Sequence, residues 1–414
     1  MLAVLITASG ATVASPPAGL PVIGDGVASG DVTDTRAMIW TRTSGPASVG
    51  VEYHTSPTLG GITTPAVPAE REHGFTVKVD LSDLQPGTRY YYRITAEAGG
   101  WTVHSLVGTF RTAPAATETA DLTLAWGADT SQRFQPFRIF DAVLAKAPEV
   151  FVFAGDTLYA DLDCNARTLA DYRACYRRNR DDRALQRFLR KTPAWVVWDD
   201  HEVANNFDRM HPRLPIGRQA LLEYWPIRPN PSDPARLYRS FRWGRLAEVF
   251  VLDDRQYRSP SSMRDTATKT MLGPAQKAWL MQSLRQSDAP FKIVVSSVPL
   301  KYHGMDSWQG YTTERDELLD FITRNVGGHV IVLTGDVHYA AVLRHRASVV
   351  EAIVGPMAMF INRRQPAAGK PDTEFSYNGG FTFGLVRVTA SPPQLAIEIY
   401  NVEGKLLHGT VVEP

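Results

Sequence analysis

The sequence has few cysteines, almost no net charge and no long apolar run. Cys164 and Cys175 are the only cysteines among 414 residues, too few for a metal–thiolate cage. The net charge is +1, so a large electrostatic footprint for nucleic acid is not indicated. No segment offers the roughly 20 apolar residues that a transmembrane helix needs. Hydrophobic residues make up 44% of the chain, which provides a full core, and the length predicts two or three domains.

Residues 1–21 predict a clipped export signal, with a disordered tail as the alternative. An apolar stretch is followed by small residues and prolines, as in a signal peptide, but the basic start is missing. We therefore expect a periplasmic or secreted protein. If it is exported, Cys164 and Cys175 could either close a small loop as a disulfide or stay free, whereas a reducing compartment would keep them free. The sequence gives no indication of the oligomeric state.

The pattern of the chain changes near residue 121. Residues 22–113 contain short alternating runs such as AMIWTR and TRYYYRITA between turn signals, which predicts an all-β sandwich domain. Residues 114–120 are small and polar and predict a linker. Residues 121–414 alternate strands with helical segments, which predicts a layered α/β domain. A hairpin is expected around Trp243–Gly244, and helices are expected at 137–147, 169–191, 273–287 and 314–325.

The arginines of segment 169–191 alternate with acidic residues. This pattern predicts a solvated helix face. We therefore do not assign these arginines to a binding site.

Four short polar clusters follow apolar, strand-like runs. In α/β sheets, sites assemble at the carboxyl ends of strands, so the clusters predict one shared site. Their carboxylate, phenol and imidazole donors suit hard metal ions. This combination predicts a dinuclear metallophosphoesterase. The clusters contain Asp129, Asp156 with Tyr159, Asp199 to Glu202, and Asp336 with His338.

Three of these clusters also have ordinary alternatives. Asp129 alone would more often be a turn or N-cap residue. Asp156 could bridge two cations, and Tyr159 could be an anionic ligand that favours ferric iron, or else a surface tyrosine. Asp336 and His338 are two residues apart, so they face the same side in extended geometry and could hold one cation, whereas an isolated histidine would more often be a satisfied structural residue.

The cluster at Asp199, Asp200 and His201 concentrates charge after an apolar strand. Adjacent acids repel each other unless cations or a salt-bridge network compensate them. Because consecutive residues of a strand end point to opposite sides, we expect only one of the two aspartates to face the site.

Three further residues have weaker assignments. Asn205 is a neutral oxygen ligand or phosphate donor in principle, and an ordinary loop residue otherwise. Arg255 could clamp phosphate through its planar fork of donors or neutralise its acidic neighbours. His303 could contact the substrate or donate a proton to the leaving group.

In this order, the residues resemble the calcineurin-like metallophosphoesterase superfamily, and more closely its alkaline phosphatase D (PhoD) family and the related purple acid phosphatases. The resemblance covers nearly the whole chain and depends on the phrases GVASGDVTDTRAMIWTR, GDTLYAD, WDDHE, LDDRQYR and GDVH. It implies a four-layer αββα metallophosphoesterase sandwich preceded by a fibronectin- or immunoglobulin-like β-sandwich domain. It also implies hydrolysis of a small phosphate ester or phosphodiester by hydroxide that a dinuclear centre activates.

The resemblance assigns a first metal site. Asp156 matches the bridging carboxylate, and Tyr159 matches a ferric-iron ligand of the acid phosphatases. Asp129 and His338 complete the set of that metal. Many members of the PhoD family use a cysteine as an iron ligand, and the first block here has none.

The second metal site departs from the relatives. Asp200 stands in the place of an asparagine ligand, and His201 in the place of a phosphate-facing histidine. Asp336 and Ser297 stand where histidine ligands are expected. Because carboxylates favour harder cations, the resemblance implies Fe³⁺ with Ca²⁺, with Mn²⁺, Mg²⁺ or Zn²⁺ as alternatives at the second site.

Two other functions remain open at this point. One is a phospholipase-D-type phosphodiesterase that acts on phospholipid head groups. The other is a degenerate, non-catalytic binding protein whose fibronectin-like module is adhesive, although the retained Asp156, Tyr159 and His338 argue against it.

Overall fold

The computed structural model of the chain describes residues 20–302, 304–345, 349–364 and 367–412. Most of the expected export signal, residues 1–19, lies outside the described residues, as does His303. The amino-terminal part is all-β, as expected. Its strands are β1 (Val27–Gly30), β2 (Ala37–Arg42), β3 (Ala47–His54), β4 (Ile62–Thr63), β5 (Val67–Ala69), β6 (Thr76–Leu81), β7 (Arg89–Ala98), β8 (Trp101–His104) and β9 (Gly108–Arg111).

The remainder of the chain alternates strands and helices before it returns to strands. The strands are β10 (Leu122–Gly127), β11 (Val150–Ala154), β12 (Ala194–Val197), β13 (Arg239–Trp243), β14 (Ala247–Val251), β15 (Phe291–Val295), β16 (His329–Thr334), β17 (Ala340–Arg344), β18 (Val349–Ile353), β19 (Thr373–Tyr377), β20 (Thr382–Ala390), β21 (Pro393–Asn401) and β22 (Leu406–Val412). The helices are α1 (Ile139–Ala145), α2 (Leu169–Arg180), α3 (Arg183–Lys191), α4 (Leu214–Tyr224), α5 (Gly273–Gln286) and α6 (Thr312–Asn325).

One sheet runs through both parts of the chain, in the order β22-β21-β20-β10-β11-β12-β1-β2-β6. Strands β1 and β12 pair in parallel at Gly30 and Ala194. A Cβ on Gly30 would lie 2.6 Å from the Ala194 carbonyl oxygen and 2.5 Å from Pro226, so a larger residue would force the strands apart. The predicted boundary between domains 22–113 and 121–414 therefore crosses a continuous sheet, and it remains a prediction.

The amino-terminal strands also form a second sheet. Strands β4, β3, β7 and β8 form its hydrogen-bonded path, with β5 beside β3 and β9 beside β7. Side chains of both sheets pack in one core, including Val27 and Ile39 from the continuous sheet and Val51 and Ile94 from the other. Along β7, buried residues alternate with more exposed ones, as the sequence pattern predicted.

A third sheet has the order β13-β14-β15-β16-β18-β17-β19. Its inner residues, such as Ile293 and Ile331, share one buried core with Leu124 and Phe153 of the continuous sheet. Helices α5 and α6 contribute to a separate core with the opposite side of this sheet. The predicted hairpin is present as β13 and β14, paired from Arg239–Val251 to Trp243–Ala247.

The arginine-rich segment differs from its prediction. It forms two helices, because the Asp182 side chain caps α3 by accepting a hydrogen bond from the Leu185 backbone N–H. Arg180 is buried, with its guanidinium 4.6 Å from the Trp40 ring and 4.2 Å from the Trp225 ring. The prediction of a solvated face is therefore wrong for Arg180, which binds the two parts of the chain together through cation–π contacts. Helix α4 was not predicted.

Two further observations concern the cysteines and the helices. Cys164 and Cys175 form a disulfide, with their Cα atoms 5.9 Å apart. Within the described ranges, no helix is both long enough and apolar enough to cross a membrane.

Candidate metal centre

The polar clusters meet because their strands are parallel neighbours. Strands β10, β11 and β12 are adjacent and parallel in the continuous sheet, and β14, β15 and β16 are adjacent and parallel in the third sheet. Each strand ends just before a polar residue of the site, so six loops start from the same two sheet edges. The residues are Asp129, Asp156, Asp200, Asp254, Ser297 and Asp336.

The backbone at four candidate ligands lies in the left-handed region. The φ angles are 66° at Asp129, 48° at Asp156, 69° at Asp336 and 58° at His338. Residues other than glycine rarely adopt this backbone conformation, and such strain concentrates at functional sites. Hydrogen bonds between neighbouring loops hold this backbone conformation in place. The Thr130 N–H donates to the Asp156 carbonyl oxygen, and other backbone bonds fix the remaining turns.

Three overlapping groups of side chains could each hold a cation. Within each group, one potential ligand atom per residue lies within 4.8 Å of the others. Asp156 belongs to the first two groups and Asp200 to the last two, so both carboxylates are placed to be shared. The groups are Asp129–Asp156–His338, Asp156–Asp200–His201 and Asp199–Asp200–Asp336.

The buried carboxyl groups of this site are costly to ionise unless cations lie beside them. Burial raises the pKa of Asp129, Asp156 and Asp336 well above the ordinary value, and neighbouring carboxylates add to the effect. Both oxygens of Asp129 and Oδ1 of Asp200 are buried without a hydrogen bond of ordinary geometry from the described chain. Cations would satisfy these oxygens, so the donor set fits a centre of hard metal ions.

Tyr159 lies within this acidic site. Its hydroxyl is 3.0 Å from His338 Nε2, and its side chain is fully buried. Burial raises the pKa of Tyr159 well above the ordinary value, and the charge of Asp156 raises it further. A phenolate would therefore form here only beside a strongly polarising cation.

His201 is oriented by a second aspartate. Its Nδ1 is 2.8 Å from Asp161 Oδ1, which leaves Nε2 on the side of Asp200, 4.0 Å from Oδ1. The Asp161 carboxylate also accepts a hydrogen bond from the Asn205 backbone N–H. Burial lowers the pKa of His201, but the charge of Asp200 and the bond to Asp161 outweigh it and raise the pKa to about 9. His201 is therefore a hydrogen-bond donor at neutral pH.

Asp199 and Asp200 have different environments. Both contribute an oxygen to the third group, against the expectation that one would point away. Asp199, however, binds Arg255 with both oxygens, at 2.5 and 2.8 Å, and accepts a hydrogen bond from Ser297 Oγ at 2.6 Å. Glu202 accepts hydrogen bonds from the Thr157 and Asp199 backbone N–H groups, so it fixes two loops of the site.

Arg255 is fully buried, and three of its nitrogens bind carboxylates. Besides its two bonds to Asp199, Nη1 lies 2.7 Å from Asp306 Oδ2. Nη2 is also 3.9 Å from Asp200 and from Asp336. Of the two roles considered from sequence, this geometry matches the neutraliser of acidic neighbours, and the phosphate clamp stays a prediction.

The other assignments have mixed outcomes. Asn205 is exposed, and its backbone contacts Asp161, whereas Asn206 donates through its backbone N–H to Asp200 Oδ2 at 2.6 Å. Sequence reasoning missed Asp306, which pairs with both Arg255 and Arg258. Asp306 does not come directly after a strand, so nothing in the local pattern indicated it.

The comparisons with known proteins first define the class. A solved structure of PhoD superposes with a TM-score of 0.83 at 24% identity, over 96% of this chain and 90% of that one. The purple acid phosphatase PPD1 from yellow lupin (Lupinus luteus) seeds gives 0.72 at 14% identity, over 95% and 74%. Together with the site, these likenesses identify the fold as that of metallophosphoesterases.

The family follows from the sequence. The sequence-family model for PhoD-like phosphatases matches residues 124–375, and the family model for their N-terminal domain matches residues 9–114. The chain therefore belongs to the PhoD-like phosphatase family, as its motifs predicted. Alkaline phosphatase D of Bacillus subtilis (strain 168) is 29% identical over 76% of this chain and 64% of that protein. The chain thus spans less than two thirds of the length of that curated relative.

Proposed function

We propose that the protein is a metal-dependent phosphoric ester hydrolase with a dinuclear centre. The observation that carries the proposal is the sharing of Asp156 and Asp200 between adjacent groups of potential ligands. A shared carboxylate can bridge two cations with its two oxygens, and paired cations are a recurring solution for displacement at phosphorus. Membership of the PhoD-like phosphatase family supports the same reaction.

The residues divide into two sets of ligands. Asp129, Tyr159 and His338 would hold the first cation, Asp200 and Asp336 the second, and Asp156 would bridge them. The phenol supports Fe³⁺ at the first position, and the carboxylates support Ca²⁺, or another hard divalent ion, at the second. Such cations supply Lewis-acid polarisation of the phosphate and lower the pKa of a bound water.

The protein's own groups complete the chemistry. His201 donates a hydrogen bond through Nε2 to a phosphate oxygen, because Asp161 fixes its Nδ1. Placed beside the ester, the same N–H can give its proton to the departing alcohol. Arg255 holds Asp199 in place through two hydrogen bonds, and contact with phosphate remains a candidate role for it. Asn205 and His303 remain candidates for contact with the substrate.

Two coarser expectations also extend to proposals. The helices packed outside the two large sheets support a four-layer αββα arrangement of the catalytic part. The Cys164–Cys175 disulfide supports a periplasmic or secreted protein, because such bonds persist in oxidising compartments.

The test is Asp156→Asn, because an amide is a poorer bridge and cannot carry the shared charge. We expect hydrolysis of an aryl phosphate to fall by about 10³-fold or more and bound metal to drop below two ions per chain. Elemental analysis and a visible spectrum measure the metals, and a tyrosinate-to-iron band should disappear in Tyr159→Phe. Asp288→Asn, at a side chain 84% exposed, is the matched control. Full turnover and full metal content in Asp156→Asn would exclude the bridge.

A further inference from the structure

Four large apolar side chains are exposed on four loops of the candidate metal centre. Leu162, Met210, Met305 and Phe360 have exposed fractions of 48%, 73%, 57% and 59%. Their loops follow β11, β12, β15 and β18, at the ends of strands that carry or adjoin the site. Single exposed apolar residues are ordinary, but exposed residues grouped at one site indicate a ligand or a partner. We call these four side chains the apolar rim.

Leu162 lies beside the second group of potential ligands, and Phe360 lies beside the first. The Leu162 N–H donates to Asp161 Oδ1, the same oxygen that contacts His201. Phe360 lies between Ala358, whose N–H donates to the Asp129 carbonyl oxygen, and residue 362, whose N–H donates to the His338 carbonyl oxygen. Its ring meets that of Phe134 edge to face at 5.1 Å, which supports it in an exposed position.

Met305 and Met210 lie on loops that are linked to the third group of potential ligands. Met305 precedes Asp306, which binds Arg255 at 2.7 Å. Met210 is four residues beyond Asn206, whose backbone N–H donates to Asp200. The Asn206 carbonyl oxygen and the Arg209 N–H both bond to Arg258, so the segment before Met210 is held in place. Methionine is flexible and polarisable, and it suits surfaces that accept apolar groups of varied shape.

We infer that the apolar rim binds the alcohol part of the substrate, and that the enzyme prefers phosphoric esters of apolar alcohols to those of polar alcohols. The inference rests on the proposed function. Asp129, Asp156 and Asp200 are buried whereas Asp336 and His338 are partly exposed, so a phosphate held among them must direct its ester oxygen toward the open side. The organic group then passes the loops that carry the rim, where apolar contact replaces water.

The test is a series of straight-chain alkyl phosphates from methyl to hexyl. Their leaving alcohols have nearly the same acidity, so chemistry stays constant while apolar area grows. A methylene fully removed from water gains about fourfold in binding, so a half-buried methylene gains about twofold. We expect kcat/KM to rise about 30-fold over the five added methylenes, measured by release of phosphate.

Variants of the rim show whether it causes the preference. Met305→Ser combined with Phe360→Ser should reduce the 30-fold span to about fivefold or less, because half of the rim is lost. Leu162→Ser combined with Met210→Ser tests the other half if the first pair folds poorly, as judged by thermal unfolding. The matched control is Leu406→Ser on β22, whose side chain is also 48% exposed and should leave the span unchanged.

Three results overturn the inference, and a fourth concerns the proposed function instead. Equal kcat/KM along the series, or an undiminished span in the rim variants, would show that the rim does not bind the alcohol. Faster hydrolysis of a long-chain ester in vesicles, without any dependence among the short esters, would assign the rim to a lipid surface. If no ester is hydrolysed while both metals are bound, the proposed function fails, whatever the rim does.

Discussion

Removal of the buried guanidinium of Arg255 should destabilise the metal-free protein severely. Arg255 is fully buried and makes three hydrogen bonds of 2.5 to 2.8 Å to Asp199 and Asp306. Arg255→Met has a similar volume but leaves Asp199, itself 1% exposed, as an uncompensated charge. Breaking a buried pair from one side costs about 3–5 kcal/mol, so we expect a loss of about 4 kcal/mol in the free energy of unfolding.

The assay is urea unfolding after chelation, so that metal binding does not mask the difference. Asp199→Asn in the Arg255→Met background removes the stranded charge and should recover about 2 kcal/mol or more. The control is Arg187→Met. Arg187 also contacts both oxygens of an aspartate, Asp141, but the pair is about half exposed and should cost about 1 kcal/mol at most.

Two results would refute this reasoning. One is a loss below about 1 kcal/mol in Arg255→Met, which would place the guanidinium outside the stabilising network. The other is additivity of the two substitutions, which would show that Arg255 and Asp199 are not coupled. A raised KM with unchanged stability would instead support the phosphate clamp considered from sequence.

Two more predictions concern close packing and pH. Gly355→Ala should halve or abolish metal binding, because its Cβ would lie 2.2 Å from Asp129 Oδ2 at a φ of 138°; Gly409→Ala, in open space, should not. Elemental analysis of bound metal and the free energy of unfolding distinguish the Gly355→Ala variant from the Gly409→Ala control. Burial lowers the pKa of Lys78 to about 8, so the unfolded state binds more protons between pH 8 and about 10.4, and stability rises with pH in that window. Lys78→Met should therefore gain about 2 kcal/mol at pH 7, after loss of the bond to Ile227, and lose up to about 1 kcal/mol at pH 10.5, where only the lost bond counts; equal gains at both would contradict it.

The sequence predicted the elements of the site better than their contacts. The placement of Asp129, Asp156 and Asp336 just beyond apolar strands is a local property, and it was enough to expect a shared site. The family expected from the ordered motifs is confirmed, and so is the coarse fold. The choice of metals and the role of each ligand remain proposals, because they depend on distances between separate loops.

Some local patterns were misleading for a physical reason. Arg180 belongs to a charged, helical run, and such runs are usually solvated. Its burial between Trp40 and Trp225 depends on a β-strand of the amino-terminal part lying against the carboxy-terminal part. That contact in turn requires Gly30 at the single β1–β12 pair, which no helical pattern could indicate.

By itself, the sequence determined which chemical groups stand at the strand ends, and therefore the class of site and the family. Only the tertiary structure decided that Arg255 binds Asp199 and Asp306, residues 56 and 51 positions away, and that Asp161 orients His201. The reason is that local residue patterns specify strands and turns, whereas the pairing of distant side chains follows from how the sheets stack and which loops then share a space.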